Sequence, residues 1–203
     1  MIRFETLTPE AGLGARIDDI ARLRIAVFRD WPYLYDGDLD YERRYLGRYA
    51  QSAGSICVAA YDGGRVVGAS TGMPLADEHD AIKAPFVAAG FDLDRIYYCA
   101  ESVLLPEYRG RGLYRRFFEE REAHAQRLGQ FDTVVFCGVV RPEDHPLRPR
   151  GDRPLDPIWR RFGYAPRGDL ICRFSWKDVD CDAPTEKPMR FWLKPLEAVH
   201  GLC

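Results

Sequence analysis

The sequence predicts one α/β domain whose sheet combines antiparallel and parallel strand pairs. The chain has 203 residues, of which 46% are hydrophobic and 30% charged, and this suits one compact domain with a sizeable core. Two β-rich runs flank Asp62-Gly63-Gly64 and predict a hairpin, because glycine supplies the positive φ that tight hairpin turns need. A strand, a helix and a strand within residues 95–140 predict a right-handed parallel βαβ unit.

The amino-terminal half supplies the first strand, two helices and the hairpin. Residues 2–7 alternate between apolar and polar side chains, which predicts a strand. The next apolar residues fall on one helical stripe, and this helix ends before Pro32, since proline disfavours helix at the preceding residue. Residues 38–51 predict a second helix, residues 55–75 contain the hairpin, and residues 76–94 predict a loop with one helical turn.

The carboxyl-terminal half contains the βαβ unit and two further strands. Residues 95–105 are nearly all apolar, which predicts a central strand covered on both faces. A helix follows over residues 112–128, with Gly129 placed to stop it, and residues 131–140 form the next buried strand. Five prolines exclude regular structure over residues 141–157. The remaining elements are a short helix and two strands, over residues 157–164, 170–179 and 187–196.

The charge and the cysteines narrow the class of protein. A net charge of -2 gives no positive field, so we expect no nucleic-acid partner. No apolar run is long enough to span a bilayer and the first residues carry no signal-peptide core, which predicts no membrane contact. The six cysteines form no C-x-x-C pair and predict reduced thiols in a cytoplasmic protein, and the four histidines lack metal-ligand spacing, so no metal is expected.

The junction between the fourth strand and the next helix carries Arg109, Gly110, Arg111 and Gly112. The first N–H groups of a helix have no intrahelical partner, and missing Cβ atoms let an anion approach them. No lysine or hydroxyl follows as in a P-loop, and Arg115 stands where a dinucleotide fingerprint has its third glycine. The residues therefore favour a phosphate cradle of another kind, and the alternative is an ordinary turn with solvated arginines.

The pattern R-x-x-G-x-(G/A), read from Arg109 after V-L-L-P-E-Y, resembles the GNAT superfamily of acetyl-CoA-dependent N-acyltransferases. The order of predicted elements fits that family over nearly the whole chain, and I-W-R-R-F-G-Y resembles its late Y-x-x-x-G-F segment. Tyr114 departs from the motif, which has Gly or Ala there. The resemblance implies a single acyl-CoA N-acyltransferase domain over residues 1–203, with a mixed, mostly antiparallel sheet and helices on both faces. It also implies a central parallel βαβ unit whose two strands, the fourth (residues 95–105) and the fifth (residues 131–140), splay apart in a V shape.

The resemblance also implies acetyl-CoA as the co-substrate. Backbone groups of residues 103–105 would pair with the pantetheine arm like an added strand, and the glycine-arginine junction would hold the pyrophosphate. Trp159 stands where the family often has a tyrosine that donates a proton, and it is expected to pack against the CoA arm or the core. The implied cofactor-binding residues are Val103, Leu104, Leu105, Arg109, Gly110, Arg111, Gly112, Leu113, Tyr114 and Trp159.

The reaction implied is acetyl transfer to a primary amine by direct attack in a ternary complex. Glu101 is the only carboxylate within residues 96–105, so it is the candidate base, although it could also face solvent or pair with an arginine of the cleft. The N–H of Leu104 is the candidate oxyanion donor. Tyr164 is the candidate proton donor, with Tyr98, Cys137 or water as alternatives.

Two loops are candidates for binding the small-molecule amine. Tyr33, Tyr35, Asp36 and Asp38 could grip a cation by charge and cation–π contact, but a surface turn that caps the next helix is equally compatible. Loops as long as residues 141–157 are often functional, and His145 there could be an acid/base group or a turn residue. The arginines of this loop could equally recognise an acidic group of the substrate, namely Arg148, Arg150 and Arg153.

Two other functions stay open on the residues alone. A CoA-binding module without catalysis is compatible with the departures at Tyr114 and Trp159, and a cysteine hydrolase would need Cys137 and His145 in contact. Segment 190–196 could pair across a homodimer. The acceptor, the acyl length and the oligomeric state do not follow from the sequence.

Overall fold

A computed structural model describes residues 1–197, so His200 and Cys203 lie outside the described residues. The strands are β1 (Ile2–Leu7), β2 (Ile56–Asp62), β3 (Arg65–Pro74), β4 (Ile96–Tyr98), β5 (Ser102–Leu104), β6 (Thr133–Val139), β7 (Ala165–Trp176) and β8 (Thr185–Pro195). The α-helices are α1 (Ile17–Phe28), α2 (Leu39–Tyr49), α3 (Asp80–Ala88), α4 (Leu113–Leu128) and α5 (Asp156–Arg161). The strands form one mixed sheet in the order β1-β2-β3-β4-β6-β8-β7, and β5 pairs with β3.

The hairpin and the βαβ unit form as predicted. Strands β2 and β3 are antiparallel, and Gly63 in the turn between them has φ 58°. Strands β4 and β6 are parallel, with Ile96 opposite Thr133 and α4 as the crossover helix. Gly129 ends α4 with φ 78°, the left-handed conformation expected of a helix stop.

The prediction of one continuous strand over residues 95–105 is wrong, because the backbone breaks between β4 and β5. Around the break, Ala100 N–H donates to Thr71 O at 3.0 Å and Thr71 N–H donates to Glu101 O at 3.2 Å. The buried Arg121 of α4 donates to both of those carbonyls, at 3.2 Å to Thr71 and 2.9 Å to Glu101. Beyond the break β5 stays with β3, whereas β6 pairs with β4 and β8.

Two elements are longer than predicted. Helix α3 forms where a loop with one turn was expected, and it buries Ile82 and Phe86 on one side. Strand β7 begins at Ala165 rather than at residue 170, and its register with β8 shifts between Arg167 and Ile171. The shift interrupts the alternation of apolar and polar side chains along the strand. The part of β7 before residue 170 therefore could not be predicted from that alternation.

The pairing of segment 190–196 across a homodimer is contradicted, because β8 lies inside the sheet. Its edges pair with β6 and β7, and Phe191 and Trp192 are buried. No free edge remains there for a second chain. Among residues 1–197, no helix combines the length and the apolar character needed to cross a membrane.

Candidate active site

The glycine-arginine junction opens the amino-terminal end of α4. Gly110 and Gly112 have φ 76° and 80°, the left-handed region that glycine adopts without strain. Gly112 is the N-cap residue, no side chain caps the helix, and its first turn contains no acidic residue. Arg109 donates to Leu104 O at 3.2 Å and Arg111 to Glu107 O at 2.8 Å, so both guanidinium groups fold back beside the helix start. The first-turn N–H groups and two positive charges together suit an anion.

A cavity of about 100 Å³, here named the cleft cavity, is lined by residues of both β5 and β6, which do not pair with each other in the described part of the chain. Its walls include Ser102 of β5, Tyr114 of α4, residues 136–139 of β6 and Trp159 of α5. The indole N–H of Trp159 donates to the Tyr114 hydroxyl at 2.9 Å. The two positions that depart from the family pattern are therefore joined by a hydrogen bond in this cavity.

The backbone of β5 forms one side of the junction. Among the described strands, β5 pairs only with β3, through Ser102, Val103 and Leu104. Its opposite edge has no strand partner within residues 1–197. Such an edge presents backbone donors and acceptors to an extended ligand.

A second cavity of about 110 Å³, here named the aromatic cavity, adjoins the first. The residues that line both cavities are Phe28, Tyr33, Ala100, Glu101 and Cys137. Eight of the sixteen residues around the aromatic cavity are aromatic, namely Phe28, Tyr33, Tyr35, Tyr41, Tyr45, Tyr98, Phe174 and Trp176. Burial raises the pKa of Tyr33 and of Tyr35, and the nearby Glu42 carboxylate raises that of Tyr35 further, so both phenols are protonated at neutral pH.

Glu101 lies in the wall that the two cavities share, and its side chain is 8% exposed. One carboxylate oxygen lies 2.6 Å from Arg24 Nη1, and the other accepts the Thr71 hydroxyl at 2.8 Å. Arg24 Nε also donates to Glu42 at 2.5 Å, and Glu42 is 1% exposed. Burial alone would lower the pKa of Arg24, but the two carboxylates hold it above its ordinary value. Besides a role as base, the sequence leaves two arrangements open for Glu101. The structure excludes exposure to solvent and shows the pairing with an arginine.

The four predicted amine-binding residues of the first loop divide into two pairs. Tyr33 and Tyr35 line the aromatic cavity. Asp36 instead pairs with Arg29 at 3.0 Å and Lys177 at 2.9 Å, while the Asp38 carboxylate caps α2 by accepting from a backbone N–H. Neither aspartate lines either cavity, so the capping alternative describes Asp38.

Tyr164 does not reach the cavities. Its buried hydroxyl donates to Glu122 at 2.9 Å, and it is absent from the walls of both cavities. The structure therefore separates Tyr164 from Glu101, which does not suit a proton donor to the reacting atoms. The tyrosines that line the cleft cavity are Tyr33 and Tyr114, and the sequence reasoning considered neither of them as a proton donor.

Cys137 and His145 are not brought together. The Cys137 sulfur lies 3.2 Å from the Tyr98 hydroxyl. His145 packs against the Trp31 ring, and its Nδ1 accepts from the Leu147 N–H at 3.2 Å. His145 lines neither cavity. The contact that a cysteine hydrolase requires is therefore contradicted, and so is an acid/base role for His145 beside Glu101.

Arg24 and Glu42 are the site residues that sequence reasoning missed. Arg24 falls on the apolar stripe of α1, between Ile20 and Phe28, where a charged residue signals a buried partner. Glu42 is buried in α2 in the same way. A search for charges on apolar helical faces would have found both.

One group of described side chains has the composition of a metal site. The carboxylates of Asp178 and Asp180 and the Cys181 sulfur lie within 4.8 Å of one another. Asp178 is already paired with Arg141 at 2.7 Å and Lys187 at 3.1 Å. Burial raises the pKa of Asp178, but these two cations outweigh burial and lower it. The cluster lies outside both cavities.

No family model matches the sequence, and no curated protein matches it either. Many solved structures share the fold. An acetyltransferase of the GNAT family from Streptococcus pneumoniae superposes with a TM-score of 0.55 at 12% identity, over 97% of this chain and 100% of that one. The chain has the GNAT acetyltransferase fold.

Two other proteins with the GNAT fold add chemical context. The ribosomal-protein-alanine N-acetyltransferase from Brucella melitensis has a TM-score of 0.59 at 14% identity, over 97% of this chain and 99% of that one. YncA from Salmonella typhimurium, solved with its cofactor acetyl-CoA, has a TM-score of 0.57 at 14% identity, over 100% and 98%. At 14% identity, the two superpositions show that these proteins share the fold of this chain, and they show nothing further.

Proposed function

We propose that this protein transfers an acetyl group from acetyl-CoA to the primary amine of a small molecule, by direct attack in a ternary complex. The observation that carries the proposal is the wall that the cleft and aromatic cavities share at Glu101. Two reactants that enter from the two cavities would meet beside one buried carboxylate. Holding both reactants in contact supplies much of the rate enhancement of such a transfer.

The start of α4 and the edge of β5, whose Ser102 lines the cleft cavity, fit coenzyme A. The uncapped N–H groups of the first turn of α4, with Arg109 and Arg111, would hold the pyrophosphate. Within residues 103–105 the Leu105 N–H already donates to Val67 O at 3.0 Å, so the amides of the pantetheine arm would pair with the edge of β5 that faces away from β3. The bound molecule supplies an activated acetyl group, and the chain supplies its orientation.

Glu101 and Leu104 have separate tasks in the transfer. The Glu101 carboxylate accepts the proton that the amine must lose before it attacks, directly or through one water. Arg24 and Thr71 each occupy one of its oxygens, and a carboxylate has about four lone-pair sites, so acceptor capacity remains. The Leu104 N–H donates to the thioester oxygen as negative charge develops there. The new C–N bond forms as the C–S bond breaks.

Tyr114 supplies the proton that the departing thiolate takes up. Its hydroxyl accepts the Trp159 N–H, so its own proton is free to point into the cleft cavity. Burial raises the pKa of Tyr114, which keeps the phenol protonated at neutral pH. The Trp159 N–H then stabilises the phenolate until a proton from solvent restores it.

Two measurements test the proposal. Calorimetric titration with acetyl-CoA is expected to show saturable binding, and a thiol reagent is expected to detect CoA release with at least one primary amine. Binding without thiol release for any amine would favour a CoA-binding module without catalysis. Absence of binding would contradict both functions.

A further inference from the structure

We propose that the aromatic cavity selects an aralkylamine, which is a primary amine joined by a short chain to one aromatic ring, without a carboxylate beside the amine. The inference deepens the proposed acetyl transfer and rests on it. It depends on the cavity's walls, its size and the arrangement of its three charged residues.

The walls favour a flat apolar group. Half of the residues that line the cavity are aromatic, and they come from α1, α2, β4, β7 and the loop before α2. Aromatic pairs gain stabilisation beyond the burial of area when rings meet at offset or edge-to-face angles. A ring inserted here would meet such partners on several sides.

The size favours one ring. The cavity measures about 110 Å³. A cavity of about 150 Å³ in another protein binds benzene. Tyr41 stands in the wall and is 46% exposed, so a small movement of its side chain enlarges the space. A fused two-ring amine would need a larger change.

The charges favour an amine and disfavour a carboxylate. The charged residues of the wall are Glu42, Glu101 and Arg24, with a formal sum of -1. An ammonium group would neutralise that sum. An acceptor carboxylate would find one cation, Arg24, which Glu42 and Glu101 already engage. Amino acids should therefore bind poorly even when their side chain is aromatic.

The position of Glu101 fixes the direction of the acceptor. Glu101 faces both cavities, whereas Tyr41 and Trp176 line only the aromatic cavity. The amine therefore lies toward Glu101 and the ring lies away from the cleft cavity. A second ammonium in place of the ring would find only Glu42 as a further carboxylate, and Glu42 is 1% exposed and already paired with Arg24.

The test compares four acceptors under saturating acetyl-CoA: 2-phenylethylamine, 2-cyclohexylethylamine, phenylalanine and 1,4-diaminobutane. The expected kcat/KM is highest for 2-phenylethylamine, by about 10-fold or more over phenylalanine and 1,4-diaminobutane, the effect of one well-placed contact. Equal or faster turnover of 2-cyclohexylethylamine, of phenylalanine or of the diamine would overturn the inference and leave acetyl transfer intact. Failure of all acceptors without acetyl-CoA binding would instead overturn the proposed function.

Two variants locate the site. Tyr41→Ala is expected to raise KM for 2-phenylethylamine about 5- to 10-fold and to leave the affinity for acetyl-CoA unchanged, since Tyr41 lines only the aromatic cavity. Arg44→Ala is the matched control, because Arg44 is an exposed residue of α2 that lines neither cavity. Equal KM values in the two variants would overturn the inference.

Discussion

Replacing Gly112 by glutamate tests where the pyrophosphate binds. Gly112 has φ 80°, and no atom lies within 4 Å of a Cβ added there, so a side chain meets backbone strain but no clash. Gly112→Ala is the matched control, because it imposes the same strain without a charge. Each variant should lose about 1–2 kcal/mol of unfolding free energy, the cost of a left-handed residue that carries a Cβ.

The added carboxylate should weaken acetyl-CoA binding well beyond the alanine control. At a separation of about 5 Å and an effective dielectric constant of about 20, two like charges repel by about 3 kcal/mol. Screening by salt at this exposed helix start reduces the value to about 2 kcal/mol. The glutamate variant should therefore bind about 30-fold more weakly than the alanine variant.

Calorimetric titration of acetyl-CoA at low and high salt measures this difference. Gly112→Ala should itself bind acetyl-CoA more weakly than the unmodified protein, because its Cβ stands where the anion approaches the N–H groups, and the gap between the two variants should narrow as salt screens the repulsion. Thermal unfolding should show the two variants equally destabilised. Equal affinities for acetyl-CoA would refute the placement of the pyrophosphate at Gly112.

Three further changes test the proton path and the fold. Glu101→Gln should preserve acetyl-CoA affinity and lower kcat about 100-fold or more, and an unchanged kcat would remove Glu101 from the mechanism. Tyr114→Phe should lower kcat about 10- to 100-fold with both KM values nearly constant, whereas a change confined to KM would assign the hydroxyl to binding. Asp178→Asn should cost about 3–5 kcal/mol of unfolding free energy in urea at pH 7, because Arg141 and Lys187 lose their buried partner. Since these cations lower the pKa of Asp178, the carboxylate stabilises the fold above about pH 4, so the difference should shrink as pH falls below that value and a constant difference would contradict the ion pair.

The parts of the fold that were predictable are those specified by local chemistry. Gly63 in the hairpin turn and Gly129 at the end of α4 both have positive φ, which their neighbours in the sequence signal. The break between β4 and β5 was not predictable, because Arg121 holds it from a distant helix. Helix α3 was missed because it is short and contains Pro85.

The same distinction applies to the site. The glycine-arginine junction is contiguous in the sequence, so its chemistry was readable from the residues. The partner of Glu101 was not, because Arg24 reaches it from α1 through tertiary packing. Asp36 and Asp38 were misassigned because composition does not tell which way a loop side chain points, and the structure uses them for an ion pair and a helix cap.

The buried triad of Arg24, Glu42 and Glu101 has a consequence for the transfer chemistry. Its formal charge of -1 becomes zero when an ammonium group enters the aromatic cavity. When the amine passes its proton to Glu101, the amine and Glu101 are both neutral and Arg24 still balances Glu42. The sum is again zero, so deprotonation relocates charge within the cavity without adding any. Because burying an unbalanced charge is costly, this arrangement lets the amine become a nucleophile away from water without a new desolvation cost.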